Sequence, residues 1–306
     1  MGPFLLKRAV GVVSVILALV IFTFVATNLM GDPIALMTDP ETSTQEDVDA
    51  LRHAAGLDRP WPERFITHVG NVLQGDFGQS LWQQRPATTV VLERIPATLL
   101  LAGLTIAFSL AVSIALSLLW IRKRGTPTAR VIAVASTAFA CLPSFWLAIV
   151  LILLLAVRVN IFPTSGYGFD IHLVLPILAL SAQPIGHFTQ VLSAGMQEHI
   201  TQAHVRTARS KGLHEGTVLW HHVLRNTSIL ATTMVGSMIV ALVNGAVLAE
   251  SIFAWPGIGQ LGLEAVNNRD LPVLTAVIFY AGLTVTLINL LVDVLYMRLD
   301  PRIRLR

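Results

Sequence analysis

Six long apolar runs restrict the fold of this chain more than any other feature. They cover Ala9 to Leu29, Ala97 to Ile121, Val131 to Val157, Leu173 to Leu192, Ile229 to Leu248 and Val273 to Tyr296. Each is near the roughly 20 residues a helix needs to cross a bilayer core about 30 Å thick, at about 1.5 Å of rise per residue. The composition agrees: 54% of residues are hydrophobic and 13% charged, whereas a soluble domain is nearer one quarter charged. The expected fold is therefore all-α, a polytopic membrane helical bundle of six transmembrane helices. The fourth run is the least apolar. Lys7 and Arg8 precede the first run, which resembles a signal peptide in that respect. It is longer than the usual apolar core of such a peptide and lacks a clear small-residue cleavage site, so an uncleaved anchor is expected.

The runs divide the chain into an N-terminal transmembrane helix (1–30), an outer loop region (31–95), a transmembrane domain (96–297) and a short tail (298–306). Orientation follows from Lys and Arg. With the N-terminus in the cytoplasm, fourteen of the 21 Lys and Arg residues fall on the inner side, so both termini are expected inside. These basic residues cluster at span ends, where orientation accounts for them, so the pI near 9.4 is not read as nucleic-acid binding.

Several chemistries lack their residues. Cys141 is the only cysteine, which excludes an internal disulfide and a cysteine-based metal site; a small buried packing role is expected for it. No Gly-x-x-x-x-Gly-Lys-[Ser/Thr] loop occurs, so ATP binding by this chain is not expected. His199 and His204 are five apart, which misses the shared helical face of a zinc pair. No Gly-x-Ser-x-Gly turn offers a nucleophile, so an intramembrane hydrolase is unsupported. Neither a catalytic residue nor a metal ligand is assigned.

The longest polar interruption late in the chain is His199 to Asn226. Within it, Val205, Ala208, Gly212 and Leu219 fall near one face at helical spacing, while Arg206, Arg209 and Lys211 point elsewhere. Ala208 and Gly212, four apart, would leave a smooth spot for a close backbone approach. Two readings stay open from spacing alone. One is an element docking into a groove on a soluble partner. The other is a surface helix with its basic residues on lipid headgroups.

Polar residues inside spans are costly and often functional. Gln183, His187 and Gln190 share a face of the fourth run, Thr233, Ser237 and Asn244 one of the fifth, and Gly282, Thr286, Asn289 and Asp293 one of the sixth. These stripes fit either a shared water-filled path or interhelical hydrogen bonding. Pro143, Pro176 and Pro184 lie within or near spans and predict kinks, which suit a bundle that opens and closes. The outer region from Gly31 to Arg94 holds ten Asp or Glu against five Arg, with Trp61 and Trp82 among them. Phe253-Ala254-Trp255-Pro256-Gly257 is a second outer feature beside a turn signal. Trp255 fits either a partner contact or an interfacial anchor.

Arg206, Thr207, Ala208 and Gly212, followed by His222 to Asn226, resemble the cytoplasmic coupling motif of permease subunits in binding-protein-dependent ABC importers. The resemblance is to the dipeptide/oligopeptide/nickel permease family. It extends along the chain through Gly31-Asp32-Pro33, Leu57-Asp58-Arg59-Pro60, Gly75-Asp76-Phe77-Gly78, Glu93 to Thr98, Glu250 to Gly259, Asn268-Arg269-Asp270 and Leu299-Asp300-Pro301-Arg302. Two departures stand out. The family often has an acidic-aromatic pair where Ala203-His204 stands, and usually proline where Leu230 stands.

The resemblance implies a type I ABC importer permease fold in a bacterial inner (plasma) membrane. It implies that Arg206, Thr207, Ala208, Arg209, Lys211, Gly212, Leu213, Arg225 and Asn226 couple the chain to an ATPase. Gln183, His187, Gln190, Ser237, Asn244 and Asn289 become candidates for lining the path. Phe253, Trp255, Pro256 and Gly257 become candidates for contacting a periplasmic solute-binding protein. The implied partners are a second homologous permease, two ABC ATPase subunits carrying ATP and Mg, the binding protein and membrane lipid. No cofactor belongs to this chain. The implied solute is a short peptide, with glutathione and nickel complexes as other possibilities. The alternative is an ion-coupled secondary transporter acting alone, a class that often shows internal repeats and midplane carboxylates. No clear repeat is visible, and Asp293 is the only acidic residue well inside a run.

Overall fold

In the computed structural model the described residues are 2–29, 53, 58–168, 170–227, 235, 236, 238 and 246–299. Among them helices dominate and no strand is named; a single isolated bridge pairs Gln79 with Pro86. Four helical stretches are long and apolar enough to cross a membrane: Val10–Asn28, Ala87–Arg122, Ile171–His199 and Leu271–Val292. The helices are α1 (Gly2–Leu29), α2 (Trp61–Leu73), α3 (Ala87–Leu92), α4 (Ile95–Arg122), α5 (Pro127–Cys141), α6 (Ser144–Leu151), α7 (Val174–His199), α8 (Ala203–Ser210), α9 (Ile258–Asn267) and α10 (Leu271–Leu299).

The third expected span is not one straight helix. It breaks between α5 and α6, which meet at 103°. Leu142 is extended (φ −76°, ψ 124°) and Pro143 follows it. Proline removes an amide donor and pushes the preceding residue out of the helical region, which is what the corner requires. Pro184, by contrast, sits inside α7. After α6 the chain continues as a π-helical stretch, Ile152–Arg158. The fifth expected run, Ile229 to Leu248, lies mostly outside the described residues. Among the described residues, four candidate spans plus one bent pair are seen where six spans were expected.

The chain divides into two compact units, Met1–Pro96 with Gly257–Leu287, and Ala97–Pro256 with Ile288–Arg306. In the first, α2 packs on α1. Phe24 meets Trp61 edge-on at 5.6 Å and Phe65 at 5.2 Å, and Thr23 Oγ1 lies 3.1 Å from His68 Nε2. Val20, Val72 and Phe279 are buried together. A second cluster joins Ala87, Val90 and Val91 of α3 to Ile258, Leu261 and Ala265 of α9 and to Val273, Ala276 and Val277 of α10.

A buried carboxylate organises the loop between α2 and α3 of this unit. Asp270 precedes α10 and its Oδ1 accepts from the Val273 amide at 3.3 Å. Its Oδ2 accepts from Ser80 Oγ at 2.5 Å and from the Trp82 amide at 3.4 Å. A carboxylate at a helix N-terminus satisfies amides that otherwise lack partners. Here it also clasps the loop that carries Trp82.

The second unit is built around α7. Thr105, Ser109, Ser113 and Ser117 recur every four residues along α4, all buried. Ser113 Oγ and Ser117 Oγ donate to the carbonyls of Ile185 and Thr189 on α7, each at 3.3 Å. Small hydroxyl residues let two helices approach closely without a bulky side chain between them. On another side, Gly186 touches α5 backbone. A methyl group built on it would stand 2.5 Å from the Ser136 carbonyl oxygen and closer still to the Ala140 nitrogen. Cys141, at the end of α5, is exposed rather than buried, because it sits at the corner before Pro143.

Candidate functional site

The polar interruption folds as a helix, a glycine turn and a second helical piece. α8 runs from Ala203 to Ser210 and ends at Lys211. The Gly212 amide donates to the Arg209 carbonyl at 2.9 Å and the Leu213 amide to the Ala208 carbonyl at 3.4 Å. This pair of bonds is the Schellman arrangement, which needs a left-handed residue just past the helix end. Gly212 supplies it at φ +75°. A side chain there would be strained by the backbone alone, since no other group crowds the position. The chain then forms a short turn, Glu215–Thr217, and a π-helical stretch, Val218–Leu224.

The arrangement corrects one expectation. Ala208 does not join Gly212 in an outward smooth spot. It is 5% exposed and packs inward with Val205, Val218, Leu219, Val223 and Leu224. Of the four residues placed on that face, Val205, Ala208 and Leu219 are interior and Gly212 is exposed. The exposed surface includes Arg206, Thr207, Arg209, Lys211, Gly212 and Leu213. Arg209 grips Glu215 with two bonds, Nη2 to Oε1 at 2.6 Å and Nε to Oε2 at 3.1 Å, tying α8 to the turn beyond Gly212. The hydrogen bond from Arg209 holds the Glu215 carboxyl below its ordinary value, and its counterpart raises Arg209. Asn226 donates to the His222 carbonyl at 2.8 Å and lies 3.2 Å from His204 Nε2, so the second motif half reaches back to α8. Arg225 is exposed beside it.

Along α7 the burial pattern is sharply one-sided. Gln183, His187, Gln190, Ala194, Gln197 and then Thr201 are exposed at alternating spacings of four and three. The residues between them, including Ile185, Gly186, Phe188, Thr189, Leu192 and Met196, are buried. The polar stripe therefore faces outward from this unit, and it is two turns longer than the three residues named from the sequence. Gln190 Nε2 donates to Thr137 Oγ1 of α5 at 3.3 Å. Ser237 and Asn244 lie outside the described residues. Asn289 is half-buried on α10. Gly282, earlier in that helix, faces Leu19: a methyl built there would stand 2.6 Å from Leu19 Cδ2. That position serves packing between α1 and α10.

The second outer feature also differs from expectation. Phe253 and Trp255 are 2% and 0% exposed, so their side chains are core, not free contact surface. Ala254 adopts φ +50° between them, which turns both rings inward and leaves Ala254 at the surface. The Trp255 indole donates to the Ala97 carbonyl at 2.9 Å, and its ring lies 4.8 Å from Tyr167. Thr98 Oγ1 donates to the wholly buried Glu250 at 2.7 Å. The start of α4 is thus held twice by the Glu250 to Trp255 corner. Pro256 is half-buried and Gly257 buried.

The sequence reading missed the four-residue hydroxyl ladder on α4 and both buried carboxylates. The ladder was visible as Thr105, Ser109, Ser113 and Ser117. The carboxylates were not, since their partners lie more than a hundred residues away in the chain. Among the described residues no cluster of three or more His, Cys, Asp or Glu could hold a metal ion.

The apolar candidate spans, with a basic turn after the most buried one, define a multi-pass membrane protein. The chain belongs to the family of the binding-protein-dependent transport system inner membrane component, which matches residues 103–305. The corresponding N-terminal family of such membrane components matches residues 1–102. It is 33% identical to the oligopeptide transport system permease protein AppB of Bacillus subtilis (strain 168), over 99% of each chain. It is 32% identical to the glutathione transport system permease protein GsiC of Escherichia coli (strain K12), over 98% of each. Among solved structures it resembles the inward-facing methionine ABC transporter MetNI, with TM-score 0.58 and 16% identity over 69% of this chain and 96% of that one. An amino acid ABC transporter with histidines gives TM-score 0.52 and 15% identity over 69% and 94%. The protein is therefore a permease subunit of an ABC transporter, a multi-pass inner-membrane protein and not an enzyme. Membership implies ATPase and binding-protein partners, and a lone ion-driven carrier is set aside.

Proposed function

We infer that this subunit forms half of a path for short peptides, driven by ATP hydrolysis on two partner ATPase chains that hold the nucleotide and Mg. The relatives it matches include permeases named for oligopeptides, peptides and glutathione. All three are peptidic, which favours a peptide-like solute over a nickel complex. The outward stripe Gln183, His187 and Gln190 supports a second homologous permease opposite, with the solute passing between. These side chains offer amide and imidazole hydrogen bonds with no fixed carboxylate, which suits solutes of varied charge. Ser237, Asn244 and Asn289 are the other proposed lining residues.

The observation that carries the ATPase coupling is the Schellman turn at Gly212 with its exposed rim of Arg206, Thr207, Arg209, Lys211 and Leu213. Its interior, Val205 and Ala208, is packed into the same cluster as Leu192 and Met196 of α7. A push on the rim therefore moves α7, which bears the stripe. Both termini and this turn would be cytoplasmic. The corner Phe253 to Gly257 would meet the binding protein through Ala254 and backbone, with Phe253 and Trp255 as internal props. The division at 30, 95 and 297 remains the proposed domain organisation.

Gly212→Glu is the test. The variant should insert and assemble normally while ATP-driven peptide uptake into proteoliposomes falls at least tenfold. Gly212→Asn should retain more uptake, because asparagine tolerates the left-handed region. Normal uptake by Gly212→Glu would remove the coupling assignment.

A further inference from the structure

The helix α2 carries a face that the transport reading does not use. Ile66 is 70% exposed and Leu73 79% exposed, although both are large and apolar. They lie on one flank of α2, about 20° apart around the axis at 100° per residue. That flank adjoins the stripe of Phe65, Val69 and Val72, which packs on α1 and Phe279. Glu63, Thr67 and Asn71 occupy the far side and are exposed. The apolar arc is thus wider than α1 can cover.

The depth of the flank follows from what α2 touches. Its first turn, at Trp61 and Phe65, meets Phe24. Its last turn, at Val72, is buried with Val20. Trp61 to Val72 of α2, about 16 Å, packs in a cluster that takes in α1 from Phe24 down to Ile16, about 12 Å. α2 therefore crosses α1 obliquely. The apolar window of α1 ends at Asn28. Val20 lies eight residues inside that end, about 12 Å along the axis. Leu73, next to Val72, is at a level where α1 itself exposes Leu17, Ile21 and Phe22. Water at that level would also wet those residues of α1.

The geometry points to α2 as an interfacial helix, lying obliquely over α1 with Ile66 and Leu73 in the acyl-chain boundary of the bilayer. Its occupant is lipid, argued from continuity with the lipid-exposed face of a spanning helix. Trp61, 58% exposed at the helix start, fits the headgroup level that tryptophan favours. The polar row Glu63, Thr67 and Asn71 faces water. An amphipathic helix in this setting buries its apolar side about 5–10 Å into the headgroup and acyl boundary. The first span would thereby be held in tilt by a strut in the membrane surface.

Cys141→Ser removes this chain's sole thiol, after which single cysteines at Ile66, Leu73, Thr67 and Asn71 are labelled with bimane in the complete transporter, assembled with cysteine-free partner subunits in lipid nanodiscs. Quenching is read with a phospholipid brominated near the headgroup and, separately, with aqueous iodide. The labels at 66 and 73 should be quenched by bromolipid at least twofold more than those at 67 and 71, with the order reversed for iodide. Equal iodide quenching at all four positions overturns the inference in favour of an aqueous helix. Protection of 66 and 73 from both quenchers overturns it in favour of a protein partner.

Discussion

The helices α1 and α7 are both span-length, yet they invert each other's properties. α1 is the most apolar candidate span and the least enclosed, with 17% of its window buried; α7 is the least apolar and has 61% buried. In a soluble protein the order would be opposite, since apolar residues seek the interior. In lipid, the solvent is itself apolar, so hydropathy marks contact with solvent and polarity marks contact with protein or with a water path. Small residues follow the same division. Gly11 of α1 has open space around it, whereas Gly186 of α7 is pressed by α5 backbone.

The strongest way to break this contrast is to enlarge both glycines. Gly186→Leu should cost more than about 3 kcal/mol, because backbone cannot move aside as a side chain can. Little folded protein should survive size-exclusion in detergent. Gly11→Leu should stay within about 0.5 kcal/mol of the parent. Equal yields would refute the division. A single added charge sharpens it. Leu17→Lys on α1 should lower insertion and yield, at about 2–3 kcal/mol for a lysine in lipid. Gln190→Lys on α7 should leave yield intact and cut uptake at least tenfold.

Gly282→Ala tests a place where α1 is tightly packed. The new methyl meets Leu19 side-chain atoms, which are flexible, so a loss of about 1 kcal/mol is expected. Leu19→Ala in the same chain should remove most of that penalty in thermal unfolding.

The smallest effect concerns the turn at Gly212. Glu215 has a lowered carboxyl value through its bond to Arg209, so the pair stabilises the fold above the ordinary carboxylate range. That contribution is lost as pH falls through the folded value. Both side chains are 40–50% exposed, which limits the pair to about 0.2–1 kcal/mol. Glu215→Gln should lower the unfolding midpoint slightly at pH 7, and the difference should vanish near pH 3. A difference that persists there would assign the effect to packing.

Much of this was readable from local pattern. The runs Ala9 to Leu29, Ala97 to Ile121 and Val273 to Tyr296 fall within observed helices, because length and apolarity are local properties. The Gly212 turn had a local signal, a glycine after a basic helix end, but helical spacing placed Gly212 on one continuous face with Ala208 instead. The direction of Ala208 was not legible. Spacing places a residue on a face, but only the partner cluster around Val218 and Val223 decides that this face turns inward. The same gap hid Phe253 and Trp255: apolar aromatics beside a turn suit a surface or a core equally, and Ala254 with its positive φ selects the core. The corner at Leu142 needed Pro143 to end the helix rather than kink it, as Pro184 shows it need not.

The Asp270 clasp bears on the order in which the protein is made. Ser80 and Asp270 are 190 positions apart. At about 5–20 residues per second, the ribosome adds that stretch in roughly 10–40 s. Through that interval the nascent loop has emerged without its staple, and Val90 and Val91 wait for Leu261 and Val277 to be synthesised. The first and last thirds of this polypeptide therefore mature together, and a truncation that removes α10 would leave the early segment exposed to quality-control proteolysis.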